Sequence, residues 1–333
     1  MGRFLSWLGS ILVTLLGLMM LTFFIGRMLP IDPVAAIIGD QADQATYLMV
    51  KHQLGLDRSV PVQFLFYLRD MLHGDLGEAL FTGHRVADDL AHVFPATVEL
   101  ASLAIVIGAG IGVPLGVVAA VWKGSWIDQL ARVVGLLGFS SPAFWLGLLG
   151  LMLFYATLGW VGGPGRLDIS FMDEVEPVTG LMLVDSALQG EWEVFDNAWR
   201  HIILPASILG FAAMAYISRM TRSFMLDQLS QEYIVAARAK GLSQGRVVMR
   251  HAFGNILVQL VTVIALAYAF LLEGAVLTET VFAWPGFGHY LTAGLLAGDM
   301  NAVLSCVLIV GIIFIALNQL ADFLYRRLDP RTR

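Results

Sequence analysis

Few residues in this sequence could do covalent chemistry, and their spacing excludes the common phosphate-binding and hydrolytic motifs. A phosphate-binding loop needs Gly-Lys followed by Ser or Thr, so that backbone amides and the lysine hold the phosphate. The lysines at Lys51, Lys123 and Lys240 all follow a residue other than glycine. A zinc protease of the HExxH type is excluded because none of the 7 histidines precedes a glutamate. An intramembrane enzyme is therefore the weaker alternative for this chain.

One carboxylate, Glu273, lies deep in an apolar stretch of the sequence. A charge at such depth is costly in a bilayer, so its side chain should face a bundle interior or a polar cavity. Two interpretations stay open: Glu273 meets the ammonium group of a transported solute, or it hydrogen-bonds to a neighbouring helix or subunit. A gradient-driven carrier would use several such charges, and this sequence has few. The single cysteine, Cys306, predicts a buried structural thiol.

The stretch EYIVAARAKGL, residues 232–242, has the charge order of a short capped helix between two apolar runs. Ser230 is predicted as its N-cap, Glu232 stands in the first turn, and Gly241 closes the last turn. Its predicted contact residues are Tyr233, Ala236, Ala237, Arg238, Lys240 and Gly241. Such a helix either lies on anionic lipid or docks in a cleft of another protein. The small, alanine-rich face favours docking, since it buries little in lipid but allows close approach of a backbone.

The elements that position these residues follow from a composition typical of integral membrane proteins. Of the residues, 58% are hydrophobic and only 14% are charged, whereas a soluble domain has about 25% charged residues. Crossing a hydrocarbon layer of ~30 Å takes about 20 apolar residues per helix. Apolar stretches that we predict to cross lie at residues 4–25, 97–121, 130–158, 202–216, 256–281 and 302–324. The predicted fold class is an all-α integral membrane protein with six transmembrane helices.

The basic residues predict the orientation of these helices, because Lys and Arg accumulate on the cytoplasmic side of a membrane. With the N-terminus inside, most of the 20 Lys and Arg residues fall in cytoplasmic segments. They are Arg3, Lys123, Arg132, Arg219, Arg222, Arg238, Lys240, Arg246, Arg250, Arg326, Arg327, Arg331 and Arg333. Both termini are therefore predicted to be cytoplasmic, and the first helix is predicted to be an uncleaved anchor.

Three further details concern the ends and faces of the predicted helices. Glycines recur at every fourth position in the second stretch, at Gly108, Gly112 and Gly116. This spacing predicts close packing against another helix. Pro142 is predicted to kink the third stretch. Glu99 and Glu279 lie near the outer ends of their stretches, where we expect them to anchor loops or to contact a delivery protein.

Several motifs together make the sequence resemble one family. VAARAKG, residues 235–241, resembles the cytoplasmic EAA loop of binding-protein-dependent ABC importer permeases, although Val235 replaces the Glu and Gln259 replaces a usual Leu-Pro. The following HAFGN looks like the peptide and nickel branch. Further blocks similar to dipeptide permeases are PIDP (30–33), LGLDRSVPVQF (54–64), HGDLG (73–77), PATVEL (95–100), PVTGLMLVDSALQGE (177–191), RMTRSFML (219–226) and LTETVFAWPGFG (277–288).

The resemblance implies a type I ABC importer permease in a bacterial inner membrane. Its regions would be an N-terminal transmembrane anchor at 1–30, a periplasmic loop with short amphipathic helices at 31–95, and a transmembrane domain at 96–333 with a cytoplasmic coupling loop at 218–255. Partners would be a second homologous permease, two ATP-binding subunits, a periplasmic substrate-binding protein and membrane lipid, with no nucleic acid.

The resemblance also bears on the substrate and on the source of energy. It implies that the chain has no cofactor of its own, since ATP and magnesium would bind to the partner subunits. Dipeptides are the leading substrate, because the segment at residues 177–191 is similar to the second outer loop of dipeptide permeases. Nickel, glutathione, antimicrobial peptides and a haem precursor stay open as alternatives.

Overall fold

The computed structural model describes residues 2–28, 33–38, 43–172 and 174–328 of the chain. Most of the PIDP motif (30–33) and the side chain of Glu273 lie outside the described residues. Within the described residues the chain is helical apart from turns and one isolated bridge between Glu78 and Arg85. The expectation of an all-α protein is therefore confirmed.

The α-helices are numbered here in chain order, and two of them continue through π-helical turns at Leu151–Thr157 and Val247–Phe253. They are α1 (Gly2–Met28), α2 (Pro33–Ile38), α3 (Gln44–Gln53), α4 (Val60–Leu72), α5 (Val86–Val121), α6 (Trp126–Ser140), α7 (Ala143–Gly150), α8 (Met182–Gln189), α9 (Trp192–Leu229), α10 (Glu232–Ala239), α11 (Gln244–Arg246), α12 (Gly254–Gly274), α13 (Val276–Val281), α14 (Phe287–Leu296) and α15 (Met300–Leu328).

Among the described residues, 5 helices are long and apolar enough to cross a membrane, and up to 6 crossings result if one bent pair counts as a span. The crossing segments are Gly9–Arg27, Val86–Val121, Trp192–Leu229, Gln244–Leu272 and Met300–Leu320. The bent pair joins α6 to α7 and its π-helical turn. Six predicted stretches thus correspond to these helices, but their bounds and continuity differ.

The predicted stretch at residues 130–158 is broken rather than kinked, because α6 and α7 meet at an angle of 98°. Ser141 and Pro142 have extended backbone between the two helices. A proline disfavours helical backbone in the residue before it and donates no backbone hydrogen bond, so the helix ends there. The proline predicted as a kink is the site of a full break. The predicted stretch 256–281 is also divided, since Ala275 separates α12 from α13.

The chain divides into two compact units. One unit contains Met1–Pro95 and Gly286–Ile315, and the other contains Ala96–Pro285 and Ala316–Arg333. The segment Gly286–Ile315 groups with the N-terminal residues, and the predicted regions at 1–30, 31–95 and 96–333 stay a prediction. The N-terminal unit buries Phe23 against Phe64, whose ring centroids lie 5.2 Å apart.

Cys306 lies in a second core cluster of the N-terminal unit, with Phe287 and Tyr290 among its neighbours. Its side chain is completely buried, with 0% exposure, which confirms the predicted structural thiol. Asp299 caps the start of α15 by accepting from the backbone N–H of Ala302 at 3.1 Å. Its carboxylate also accepts from the backbone N–H of Leu80, which fixes the loop before α5 in the same unit.

The second unit is built on close contact between α5 and α9, and the glycines at spacing four make that contact possible. A Cβ added at Gly108 would lie 2.8 Å from the Cβ of Ala213, and one at Gly116 would lie 2.6 Å from the Ser218 carbonyl oxygen. A Cβ at Gly112 would lie 3.0 Å from the Met214 carbonyl oxygen. The predicted packing face is confirmed, because a larger residue would force the two backbones apart.

Helix α9 is much longer than the stretch predicted at 202–216, since it has 38 residues. Its two ends contain charged residues such as Glu193, Arg200 and Arg222, which lower the local hydropathy, so a hydropathy criterion finds only the middle of the helix. The extension brings its last turns close to α10, and that position matters for the candidate site.

Candidate functional site

The short helix α10 ends in the cap that the sequence predicts. Gly241 has φ +76°, its N–H donates to the Arg238 carbonyl oxygen at 2.9 Å, and the N–H of Leu242 donates to that of Ala237 at 3.3 Å. This pair of bonds, with a left-handed glycine between them, is the Schellman arrangement. Lys240 is the C-cap residue. The glycine therefore sets the direction in which the chain leaves the helix.

The predicted N-cap is wrong. Ser230 ends α9 and its hydroxyl donates to the Asp227 carbonyl oxygen at 2.8 Å. Gln231 is the N-cap residue of α10, with extended backbone and no side-chain cap bond. Helix α9 continues to Leu229, well beyond the predicted end at residue 216, so Ser230 caps carbonyls rather than amides. Ser243 occupies the N-cap position of α11, but its side chain makes no cap bond.

Helix α10 holds to its own chain through one face and leaves the other exposed. Ile234 is fully buried and Ala237 nearly so, in a cluster that includes Met225 of α9 and Val247 of the following π-helical turn. Ala237 therefore supports α10 from beneath, although the sequence placed it on the contact face. The exposed residues of the helix are Glu232, Tyr233, Val235, Ala236, Arg238, Ala239 and Lys240. Val235 is 61% exposed, which leaves a small apolar patch edged by cations.

Tyr233 joins α10 to the two long helices beside it. Its hydroxyl donates to the Gln228 side-chain oxygen of α9 at 2.7 Å. The same hydroxyl accepts from the Asn255 side-chain nitrogen of α12 at 3.0 Å. The side chain is 38% exposed, so these bonds lie at the surface of the segment. Sequence reasoning selected Tyr233 but missed Gln228 and Asn255, because both lie in other helices and helical spacing rules apply only within one helix.

A buried ion pair fixes α6 against α9 about two helical turns before the end of α9. Asp128 is 1% exposed and accepts from the Arg222 guanidinium at 2.7 Å and 2.8 Å. The backbone N–H of Gly124 donates to the same carboxylate at 3.0 Å. Such bidentate pairs fix geometry as well as charge. The sequence singled out Arg222 only as a cytoplasmic cation and missed Asp128.

A cavity of about 430 Å³ adjoins this ion pair between α5, α6 and α9. Its lining combines apolar side chains with the cations Arg132, Arg219 and Arg222 and one carboxylate, Asp227. The guanidinium of Arg219 lies 5.3 Å from the ring centroid of Phe139 and 6.0 Å from that of Tyr216. Among the described residues Arg219 forms no ion pair, so its charge is available to an anionic group.

The two carboxylates predicted as loop anchors form contacts at the other end of α5. Glu99 accepts from Arg166 at 2.5 Å and from the backbone N–H of Leu183 at 2.7 Å. Glu279 accepts from the Thr97 hydroxyl at 2.6 Å and is fully buried. The two carboxylates therefore hold the segment at 159–201 and the start of α13 against α5. Glu99 therefore anchors a loop, as predicted, whereas the contact of Glu279 joins two helices, α13 and α5.

Asp185 organises the characteristic segment at 177–191 from within. Its carboxylate accepts from the backbone N–H groups of Val178, Thr179 and Gly180 and from the Thr179 hydroxyl, at 2.7–3.2 Å. Burial alone would raise the pKa of Asp185, but these hydrogen bonds outweigh it and hold the pKa below its ordinary value. The loop is thus a folded structure rather than an open tail.

Glu273 is the next-to-last residue of α12. The division of the predicted stretch at Ala275 places it at the end of a helix rather than in the middle of one. Its side chain lies outside the described residues, so its proposed contacts stay a prediction.

Comparisons with known proteins agree on the class of the chain. Residues 112–333 match the family model described as "Binding-protein-dependent transport system inner membrane component". Residues 1–101 match the N-terminal model of the same transport systems. A probable D,D-dipeptide transport system permease protein of Escherichia coli (strain K12), DdpB, is 43% identical over 97% of this chain and 94% of its own length.

Two further relatives are similar over nearly their whole length. The di/tripeptide transport system permease protein DppB of Pseudomonas aeruginosa (strain UCBPP-PA14) is 42% identical over 98% of this chain and 97% of its own. The dipeptide transport system permease protein DppB of Escherichia coli (strain K12) is 40% identical over the same shares, 98% and 97%.

Among solved structures, an inward-facing MetNI methionine ABC transporter has a chain with a TM-score of 0.51 and 19% identity. The match covers 70% of this chain and 93% of that chain, and it supports the fold alone. With multiple membrane-spanning helices and both family models in place, the chain belongs to the inner-membrane components of binding-protein-dependent transport systems.

Proposed function

We propose that this protein is a permease subunit of an ABC importer that moves dipeptides or other short peptides across the bacterial inner membrane. The relatives at 40–43% identity are permeases of dipeptide or di/tripeptide systems, and the similarity extends over nearly the whole chain. The segment organised by Asp185 lies within the block that is similar to dipeptide permeases. Selectivity within the peptide class would reside largely in a separate binding protein.

The observation that best supports a transport subunit driven by a partner protein is the geometry of α10. The helix is capped, exposed on one face and tied by Tyr233 to α9 and α12. A push on its exposed face would reach both long helices together. In this proposal Tyr233, Ala236, Arg238, Lys240 and Gly241 face or shape the contact with an ATP-binding subunit.

The energy source in this proposal is ATP bound by partner subunits, with magnesium, rather than by this chain. Its sequence supplies no Gly-Lys pair for a phosphate-binding loop. The complete importer would contain two ATP-binding subunits, a second homologous permease and a periplasmic substrate-binding protein. The loop at 218–255 and both termini would be cytoplasmic, in keeping with the distribution of basic residues.

The solute pathway in this subunit would offer charges of both signs, since a dipeptide carries an ammonium group and a carboxylate. Arg219 in the cavity beside α9 has no carboxylate partner among the described residues and suits the carboxylate end. Glu273 suits the ammonium end. The competing interpretation of Glu273, a contact with a neighbouring helix or the second permease, predicts a loss of assembly on mutation.

Uptake by two variants tests this pathway. Glu273→Ala should reduce peptide uptake while the complex still assembles, with the exposed Glu193→Ala as its control. Arg219→Gln should reduce uptake of a free dipeptide by about tenfold, the equivalent of one charge-assisted hydrogen bond, and leave a C-terminally amidated dipeptide unaffected. Loss of assembly in Glu273→Ala, or equal losses for both peptides in Arg219→Gln, would remove these residues from the pathway.

The function itself is tested by uptake in cells that lack the gene, compared with complemented cells. Labelled di-, tri- and pentapeptides, glutathione, nickel and a haem precursor form the panel. Selective loss of dipeptide entry, restored by the gene, supports the proposal. Normal peptide entry with loss of entry of nickel, glutathione or the haem precursor would support the permease role but assign it that substrate instead of peptides.

A further inference from the structure

The N-terminal unit contains a polar cavity that the transport function does not use. Its volume is about 410 Å³, and it is bordered by the end of α1, the α3–α4 segment and the start of α15. Arg27 is the last residue of the membrane-crossing segment Gly9–Arg27, and Met300 is the first of Met300–Leu320. Both line the cavity. Because two crossing segments end at it, the cavity lies at the level of the lipid headgroups.

The charges of the cavity are only partly balanced. Its lining includes three arginines, Arg27, Arg58 and Arg69, but two aspartates, Asp70 and Asp75. Arg69 is paired with Asp70 at 2.7 Å. Among the described residues, neither Arg27 nor Arg58 forms an ion pair. The excess of one positive charge matches a singly charged anion such as a phosphodiester.

Besides the Tyr67 hydroxyl, two buried polar atoms of residues that line the cavity lack a hydrogen-bond partner within the described part of the chain. They are the Nε of Arg27, a donor, and the Oε1 of Gln63, an acceptor. The amide nitrogen of Gln63 donates to the Arg58 carbonyl oxygen at 2.8 Å, which fixes the direction of its oxygen. Buried polar groups are almost always hydrogen-bonded, so these atoms call for a ligand that both accepts and donates.

The position of Arg58 is set before any ligand binds. Its guanidinium lies 4.3 Å from the ring centroid of Phe66, and Arg69 lies 4.8 Å from the same centroid. A guanidinium held on an aromatic face loses less freedom when it binds an anion. The cavity is therefore preorganised on its α4 side.

The short helices around the cavity, α3 and α4, expose apolar side chains, as helices in a membrane interface do. On α3, Leu48 and Met49 are more than half exposed, and on α4 Leu65 and Leu72 are exposed as well. Short helices with such apolar side chains and nearby arginines are typical of interfacial segments. The acyl chains of a lipid would meet these residues while its headgroup enters the cavity.

We propose that this cavity binds the headgroup of a membrane glycerophospholipid, with the phosphodiester between Arg27 and Arg58. A headgroup hydroxyl or ammonium donates to Gln63 Oε1 and to the carboxylate of Asp75. This chemistry distinguishes phosphatidylglycerol and phosphatidylethanolamine, which have such donors, from phosphatidylcholine, which has none. The inference is independent of the transported solute.

Native mass spectrometry of the full-length protein in detergent micelles tests the proposal. Phosphatidylglycerol, phosphatidylethanolamine, phosphatidylcholine or inorganic phosphate alone is added, and the bound fraction is followed. We expect one tightly held copy of phosphatidylglycerol or phosphatidylethanolamine and weaker phosphatidylcholine. Arg27→Gln and Arg58→Gln should each weaken that copy by about tenfold or more, as expected for a charge-assisted bond.

Arg85→Gln is the matched control, because Arg85 is an exposed arginine of the same unit that does not line the cavity. Its lipid affinity should equal that of the unchanged protein. Arg58 is exposed, so its variant retains the fold even if Arg27→Gln does not. Equal lipid retention in Arg58→Gln and Arg85→Gln would overturn the proposal. If inorganic phosphate binds and displaces the lipid, the ligand of the cavity is free phosphate and not a lipid.

Discussion

The cap at Gly241 allows the coupling proposal to be tested by one backbone position. Replacing Gly241 with valine keeps the chain length and charge but puts a β-branched residue at φ +76°. No heavy atom lies within 4 Å of a Cβ built there, so crowding in the isolated chain is not the source of any effect. The substitution therefore tests backbone conformation alone.

The size of the effect follows from two routes open to the variant. It either keeps the left-handed conformation, which costs an L-residue about 1–2 kcal/mol, or it leaves that conformation and loses the two cap bonds. Each of those bonds contributes about 1 kcal/mol. Both routes give about 1–2 kcal/mol, which changes an opening equilibrium by a factor of about 5–30.

Hydrogen exchange of the amides in the last turn of α10 measures that equilibrium directly. In Gly241→Val these amides should exchange about 5–30 times faster, and peptide uptake driven by ATP should fall. Gly241→Asn should stay close to the unchanged protein, since asparagine tolerates the left-handed region. Gly245→Val, in the same segment but without a positive φ, is the matched control.

Two results would refute this reasoning. Unchanged exchange and uptake in Gly241→Val would mean that the cap does not determine the position of α10. An equal loss in Gly241→Asn and Gly241→Val would mean that side-chain volume against a partner, and not backbone conformation, is what the glycine provides.

Three further predictions concern stability and are read from thermal unfolding of the purified protein. Asp128→Asn should destabilise it by about 1.5–3 kcal/mol, the contribution of hydrogen bonds to a charged group. The same Asp128→Asn substitution should have little effect on stability in a protein that already contains Arg222→Gln. Stability losses that simply add in the double variant would contradict a direct pair. Gly116→Ala should lower the free energy of unfolding by about 1–3 kcal/mol, because its methyl group overpacks against α9. Gly110→Ala is the control and should leave stability unchanged, because no heavy atom lies within 4 Å of a Cβ built there. Equal effects of the two substitutions would contradict the packing face. Because the pKa of Asp185 is lowered by folding, its contribution is complete above the unfolded value of about 3.9 and is lost as the pH falls below it. The stability difference between Asp185→Asn and the unchanged protein should therefore shrink from pH 7 towards pH 3, and a constant difference would exclude ionisation as its cause.

The sequence predicted best the features that depend on local pattern. The glycines from Gly108 to Gly116 and the cap at Gly241 follow from spacing and charge order, and both are present. The apolar stretches correspond to real helices because a helix that crosses a bilayer must be apolar along its whole membrane-embedded length. These signals are properties of neighbouring residues, so a single sequence contains them.

Hydropathy could not predict the bend between α6 and α7 or the full length of α9. The hydropathy summed over a window of residues is the same for a straight helix and for one that is broken at Pro142. It also falls wherever charged residues such as Arg222 enter a helix, although the helix continues. The N-cap prediction failed for a related reason, because Ser230 could end one helix or begin the next.

Contacts between distant residues were not predictable from one sequence. Asp128 and Arg222 are 94 residues apart, and Glu99 and Arg166 are 67 apart. Nothing in their local surroundings distinguishes these charges from solvent-exposed ones. The same holds for Ile234, whose contacts with Met225 and Val247 join α10 to other elements of the chain.

The burial of Cys306 has a practical consequence for spectroscopy. The chain has one cysteine, and its sulfur lies in a packed core with 0% exposure. Maleimide dyes and nitroxide spin labels react with accessible thiols, so the native protein provides a silent background without prior mutagenesis. A thiol introduced by Val235→Cys, at a side chain 61% exposed, would accept the label on α10 alone. Distances from that probe to a second one on an ATP-binding subunit would follow the movement of α10 through each cycle of nucleotide binding and release.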